Sequence, residues 1–135
     1  VWTIDLPTFI QKNKNKRLAL NLNGYRNWHF RDQHYTKEAF EQIVKGSLKG
    51  IPRQEMIHLH YVLYGPTNQR RDLMNVIAVI DKYFSDALPK SGVIDDDSTK
   101  YIVSVSASWG GVDRSNPRVS VTIVPVDQPM ALNFS

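Results

Sequence analysis

The 135-residue sequence contains no cysteine. That excludes a disulfide framework, a thiolate zinc site and a cysteine nucleophile, and it suits a reducing cytosol. Long apolar runs are also missing: no stretch approaches the ~20 residues that a membrane-spanning helix needs. The first residues show no signal-peptide pattern, so a cytoplasmic protein with no membrane partner is expected. There is no internal repeat and no long linker, and the chain is too short for two ordinary domains, so a single domain over 1–135 is expected. What is present is a globular balance, with 41% hydrophobic and 22% charged residues.

The formal charge of +4 is unevenly spread. The first 50 residues carry +5, through Lys12, Lys14, Lys16, Arg17 and five further cations, while the remainder carries −1 and holds the acidic run Asp95–Asp97. A basic surface for a polyanion and a separate acidic spot for a cation are one reading of this split. Ordinary solubility charge is the other.

Hydrophobic patterning places the elements. Residues 2–6 read as a short strand ended by Pro7. The polar stretch 12–17 leads into the alternating Leu18, Leu20 and Leu22. A helix is expected over about 36–48, capped by Thr36, with Phe40, Ile43, Val44 and Leu48 as its apolar stripe. Residues 56–64 alternate as a strand with Ile57, Leu59, Tyr61 and Leu63 on one face. A second helix follows over about 73–88. Strands at about 100–108 and 118–125, joined by a turn rich in Gly and Asn, are expected to form a hairpin. Together these give an α+β domain, a small mixed sheet with two main helices packed on it.

The second helix is the most informative segment. At 100° per residue, Leu73, Val76, Ile77, Ile80, Tyr83, Phe84, Ala87 and Leu88 fall on one broad arc that must face the core. Asn75, Lys82 and Asp86 align within roughly 40° of one another on the opposite side. Asp72 stands at the helix entrance, behind Arg70 and Arg71, where an N-cap is favourable. Read singly, Asp72 is a cap, Lys82 and Asp86 an exposed i,i+4 pair, and Asp95–Asp97 a solvated turn. Read jointly, the helix, the Gly92 turn and the acidic triplet carry Asp96 and Asp97 back towards the start of the sheet.

This joint pattern resembles the RusA family of Holliday-junction resolvases. The family shows an Arg-rich lead, Asp-x-Asp-Asn opening a helix, a lysine on that helix, Asp-Ala-Leu, a Lys-x-Gly turn and an Asp-Asp pair before a strand. Here stand Arg70-Arg71-Asp72-Leu73-Met74-Asn75, then Lys82, Asp86-Ala87-Leu88, Lys90-Ser91-Gly92 and Asp96-Asp97. The resemblance covers about residues 64–125; residues 1–50 match only loosely. Two departures stand out. The interval from Asn75 to Asp86 is four residues longer than is usual in the family, about one helical turn. Counting back from Asp86 puts Lys82 in the place of the family's catalytic lysine, whereas counting forward from Asn75 puts Ala78 there. Lys82 keeps both the lysine and the polar stripe. Met74, moreover, replaces the family's second metal-binding aspartate, and a thioether is a poor ligand for a hard cation.

The resemblance implies a homodimer acting on branched DNA, such as a four-way junction, in a bacterial or phage-infected cell. It implies Mg²⁺ or Mn²⁺ held by Asp72, Asp97 and Asp96, with Asp95, Asp81 and Asp86 as possible substitute carboxylates. Asp72, Lys82 and Asp97 would be catalytic. Arg70, Arg71, Lys12, Lys14, Lys16, Arg17 and Asn75 would contact DNA. The competing expectation, motivated by Met74, is a protein that binds branched DNA or a protein partner without cleaving. Two further patterns invite other readings. His58 and His60 project from one face of a strand and are either a transition-metal pair or residues of its more polar face. Tyr25, Trp28 and Phe30, beside Arg26 and Arg31, either stack on unpaired bases or serve the core or a dimer contact.

Overall fold

The computed structural model describes residues 1–68 and 72–127. In chain order the elements are β1 (Trp2–Leu6), β2 (Phe9–Asn13), β3 (Lys16–Ala19), α1 (Leu22–Asn27), α2 (Phe30–Lys49), β4 (Ile57–Gly65), α3 (Leu73–Lys90), β5 (Ile102–Val112) and β6 (Arg118–Pro125). Four strands form a mixed sheet in the order β1-β6-β4-β5, and β2 pairs with β3 as a separate hairpin. Strands β4 and β5 run parallel, while β6 is antiparallel to both β4 and β1. The α+β architecture expected from the sequence is the one observed. Among the described residues, no helix is long and apolar enough to cross a membrane.

Period-two alternation gives the sheet one apolar face. Ile57, Leu59, Tyr61 and Leu63 of β4, Val119, Val121 and Ile123 of β6, and Ile4 and Leu6 of β1 are all buried. On α3 the buried residues are Ile77, Val79, Ile80, Tyr83, Phe84, Ala87 and Leu88, close to the arc expected from helical periodicity. Phe40 of α2 meets Tyr83 of α3 edge to face at 5.6 Å, which ties the two helices over the sheet. The opposite face of the sheet carries hydroxyl and imidazole side chains, as suits a mixed sheet that is wet on one side.

Three local expectations need correction. Helix α2 begins at Phe30, because the His29 Nδ1 accepts a hydrogen bond from the Arg31 amide and caps it. Thr36 therefore lies inside the helix, fully buried, with its hydroxyl on the Asp32 and Gln33 carbonyls and 2.7 Å from the Tyr83 hydroxyl. The buried stripe of α2 repeats every four residues through Asp32, Thr36, Phe40, Val44 and Leu48, which leaves Ile43 exposed.

The third correction concerns topology. β5 and β6 do not pair; β4 lies between them. The connection crosses the end of β4, where the Asp113 amide donates to the Gly65 carbonyl at 2.8 Å. Consecutive strands are neighbours in only about two-thirds of cases, and this pair belongs to the remainder. At the end of α3, Gly92 takes φ +79°, the left-handed conformation that turns the chain out of the helix. Its turn buries Val93 and Ile94 and presents Asp95–Asp97 to solvent.

Candidate nucleic-acid interface

The polar stripe of α3 exists, and it faces the seam with α1 and α2. Near its start the Asn75 Oδ1 accepts the Leu22 amide at 3.2 Å, which anchors α1. One turn before its end, the Asp86 carboxylate meets the Lys37 ammonium of α2 at 3.1 Å. The expected Lys82–Asp86 pair is thus replaced by an interhelical one. Lys37 is pushed above its ordinary range, chiefly by the hydrogen bond to Asp86. Lys82 itself is exposed and lines an open groove with Phe30, His34, Lys37 and Asp86.

Asp97 joins Asp86 from the loop before β5. Its carboxyl is held above the usual range, first by partial desolvation and then by its hydrogen bond with Asp86, with the charges of Asp86 and Asp96 adding to both. Asp86 therefore neighbours the Asp97 carboxyl and also lines the groove with Lys37 and Lys82. Asp96 accepts the Asp97 amide at 2.8 Å and continues the acidic edge.

Asp72 is elsewhere. It caps α3, accepting the Met74 amide at 3.1 Å. Fourteen residues of helix separate it from Asp86, about 21 Å at 1.5 Å per residue. Asp72 and Asp97 therefore do not meet within one chain, so the ion site expected from Asp72, Asp97 and Asp96 does not assemble there. Of the substitute carboxylates, Asp86 alone reaches Asp97. Asp81 faces the sheet, accepting the Tyr61 hydroxyl at 2.6 Å and the Ser85 hydroxyl at 3.1 Å. Asp95 is turned to Arg53. Among the described residues, no three His, Asp or Glu side chains gather as an ion-holding group.

The basic residues divide in the same way. Lys12 and Lys16 converge on the buried Asp32 at 2.7 and 2.8 Å, a clamp that fastens the β2–β3 hairpin to α2. The hydrogen bond from Lys12, followed by that from Lys16, lowers the Asp32 carboxyl to about 2. These two lysines are therefore already paired with Asp32, although Lys16 stays exposed. Lys14 stays exposed at the hairpin turn, and Arg17 lies over the Phe9 ring at 3.5 Å from its centroid. Arg70 and Arg71 lie outside the described residues.

Of the three aromatics, Tyr25 and Trp28 pack edge to face at 6.1 Å against the core. Phe30 remains outside, 69% exposed and stacked on His29 at 4.4 Å. His58 and His60 share the open face of the sheet, and their ring nitrogens meet the hydroxyls of Ser104, Ser106 and Ser108. Burial, and then the neighbouring His60, lowers the pKa of His58. Lys37 and the Lys12–Asp32–Lys16 clamp were not legible in the sequence, because each depends on contacts between distant segments.

No family model matches the chain, and no curated protein matches it.

Proposed function

We propose that the protein is a metal-dependent, structure-selective endonuclease for branched DNA, the activity that its resemblance to RusA-type resolvases implies. The observation that supports this reading is the groove between α2 and α3. There Asp86 stands among Lys37, Lys82 and the exposed Phe30, and the Asp97 carboxyl neighbours Asp86. Paired carboxylates beside lysines, near a solvent-exposed aromatic ring, are parts that phosphodiester hydrolysis on an irregular strand can use.

The donor set fits a hard divalent ion, since Asp86 and Asp97 offer oxygen only, and Mg²⁺ takes one or two carboxylates and completes its shell with water and substrate phosphate. Bound there, Mg²⁺ or Mn²⁺ would supply Lewis-acid activation of water and stabilise the leaving oxygen. Lys82 neutralises charge on the phosphate undergoing attack. Phe30 offers a face to a base, and Lys14 and Arg17 add sequence-independent phosphate contacts. Asp72 acts as a helix cap in this account. Asp97→Asn and Asp86→Asn are expected to abolish cleavage of a labelled four-way junction, and Asp72→Asn to leave it measurable. Loss of cleavage in Asp72→Asn alone would overturn this assignment.

The homodimer implied by the resemblance belongs to the same proposal. β5 lies at the sheet's edge, runs for 11 residues and contains no charge and no proline, the usual guards of such an edge. Val105 and Trp109 project from it exposed. A second copy pairing antiparallel along this edge brings like residues together about a two-fold axis without charge repulsion.

A second reading, binding of branched DNA without cleavage, is favoured by Met74. It is 53% exposed and stands where the family places a metal-binding aspartate. Under that reading the groove binds junctions in EDTA and in Mg²⁺ alike, and no product appears.

A further inference from the structure

At the far end of the sheet from the carboxylate pair, a cavity of about 190 Å³ opens between the β2–β3 hairpin, the end of β4 and the first turns of α3. Its walls are partly apolar, with Leu63 of β4, Val76 of α3, and Pro66 and Pro117 from the flanking loops. At that size it is below the range that holds a drug-sized ligand and suits one planar ring.

Two guanidinium–ring stacks border the cavity. Arg17 lies 3.5 Å from the centroid of Phe9, and Arg118 lies 4.2 Å from that of Tyr64. Their electrostatic states differ. Arg118 is neutralised by Asp113 at 2.8 Å and Asp5 at 3.6 Å. Arg17 has no carboxylate partner among the described residues. Stacking on Phe9 holds its planar group in place and leaves the N–H edge unspent, the form in which arginine takes a phosphate in two hydrogen bonds.

The polar lining adds donors. Asn21 spends its Oδ1 on capping α1 through the Gly24 amide at 2.8 Å, so its NH₂ group remains to donate. The Thr8 hydroxyl, also on the wall, has no hydrogen-bond partner among the described residues. An apolar slot for a ring, free donors on its wall and one unneutralised arginine at its edge together describe a ligand that joins a planar heterocycle to an anion.

From this arrangement we infer that the cavity is a nucleobase pocket, in which one unpaired base inserts between the apolar walls while Arg17 binds its phosphate. The inference rests on the branched-DNA reading for its source of unpaired bases. The same chemistry is offered by a free mononucleotide, and the test separates the two. The pocket lies apart from the carboxylate groove, so it would set how a strand is gripped rather than where it is cut.

The experiment follows backbone amide resonances of the protein during titration with dAMP and, separately, with a four-way junction carrying 2-aminopurine at the branch point. 2-Aminopurine fluorescence is read in parallel. Two variants accompany the wild type: Arg17→Ala, and Ala19→Phe, which fills the cavity from its exposed wall position. The expected result is displacement of the Thr8, Leu63, Tyr64 and Gly65 amides, a rise in fluorescence on junction binding, and a loss of junction affinity of about fivefold or more in each variant. Junction binding that is undisturbed in both variants, with those four amides unmoved, would overturn the pocket and leave the DNA reading standing. Displacement by dAMP without any junction binding would keep the pocket and overturn the DNA reading. No displacement by either ligand and no junction binding would overturn both.

Discussion

Single residues in this molecule separate structural charge from charge that is free to work. Asp32 is buried yet ionised because Lys12 and Lys16 both reach it. Its folded-state pKa of about 2 lies below the ordinary value of 3.8, so the clamp's contribution is fully present above about pH 4 and is lost as pH falls towards 2. Urea unfolding between pH 5 and pH 2 is expected to show a steep loss of stability in the wild type and a shallower one in the Lys12→Met/Lys16→Met variant. Equal slopes would contradict the clamp. Asp81 shows the opposite use of a carboxylate. The hydroxyl of the fully buried Tyr61 donates to it at 2.6 Å, so Tyr61→Phe is expected to cost about 2 kcal/mol, the usual worth of a hydrogen bond to a charged group. The same contact makes Asp81→Asn a stability variant rather than an activity variant, which thermal unfolding beside a cleavage assay distinguishes. From sequence alone, Asp81, Asp86 and Asp95 are all candidate substitute carboxylates, with Asp86 on the polar stripe of α3 and Asp81 about 120° from Asn75, and their roles stay open. Only the tertiary partners Tyr61, Lys37 and Arg53 tell them apart.

At the level of elements, α3 was the most legible part of the chain, because one periodicity fixed both its buried arc and its polar stripe. Asn75, Lys82 and Asp86 do share a side, on which Asn75 and Asp86 reach α1 and α2 while Lys82 stays exposed. The start of α2 was misplaced because histidine caps a helix less often than threonine, and Thr36 supplies the commoner signal. The order of β5 and β6 was not legible because strand neighbours are chosen by which faces bury most. In β6 the residues Val119, Val121 and Ile123 are all fully buried, which marks a central strand only once its partners are known. Two expectations belong to β5. Val105→Lys is expected to turn a dimer into a monomer in sedimentation or light scattering, and an unchanged mass would exclude this edge as the contact. Gly110 sits at a bulge where a Cβ would stand 2.6 Å from both Tyr64 Cε1 and Val62 Cγ1. Gly110→Ala is therefore expected to cost about 1–3 kcal/mol in chemical unfolding through overpacking, and a neutral result would mean that the bulge relaxes freely.

Across the whole molecule, α3 holds apart two regions that the sequence motif placed together. Its start carries the Asp72 cap and borders the proposed base pocket; its end carries Asp86, which meets Asp97, Lys37 and Lys82. The motif was legible because its residues are close in sequence, and its division was not, because about 21 Å of helix intervenes. We propose that any chemistry lies at the carboxylate pair and that the rest of the basic surface serves as grip. The most direct test incubates labelled four-way junction and matched linear duplex with the protein in Mg²⁺, Mn²⁺ or EDTA. Junction-selective cleavage that requires metal is the expected result. Intact junctions in both metals, with the protein bound to them, would contradict the nuclease assignment and leave a binding protein in its place.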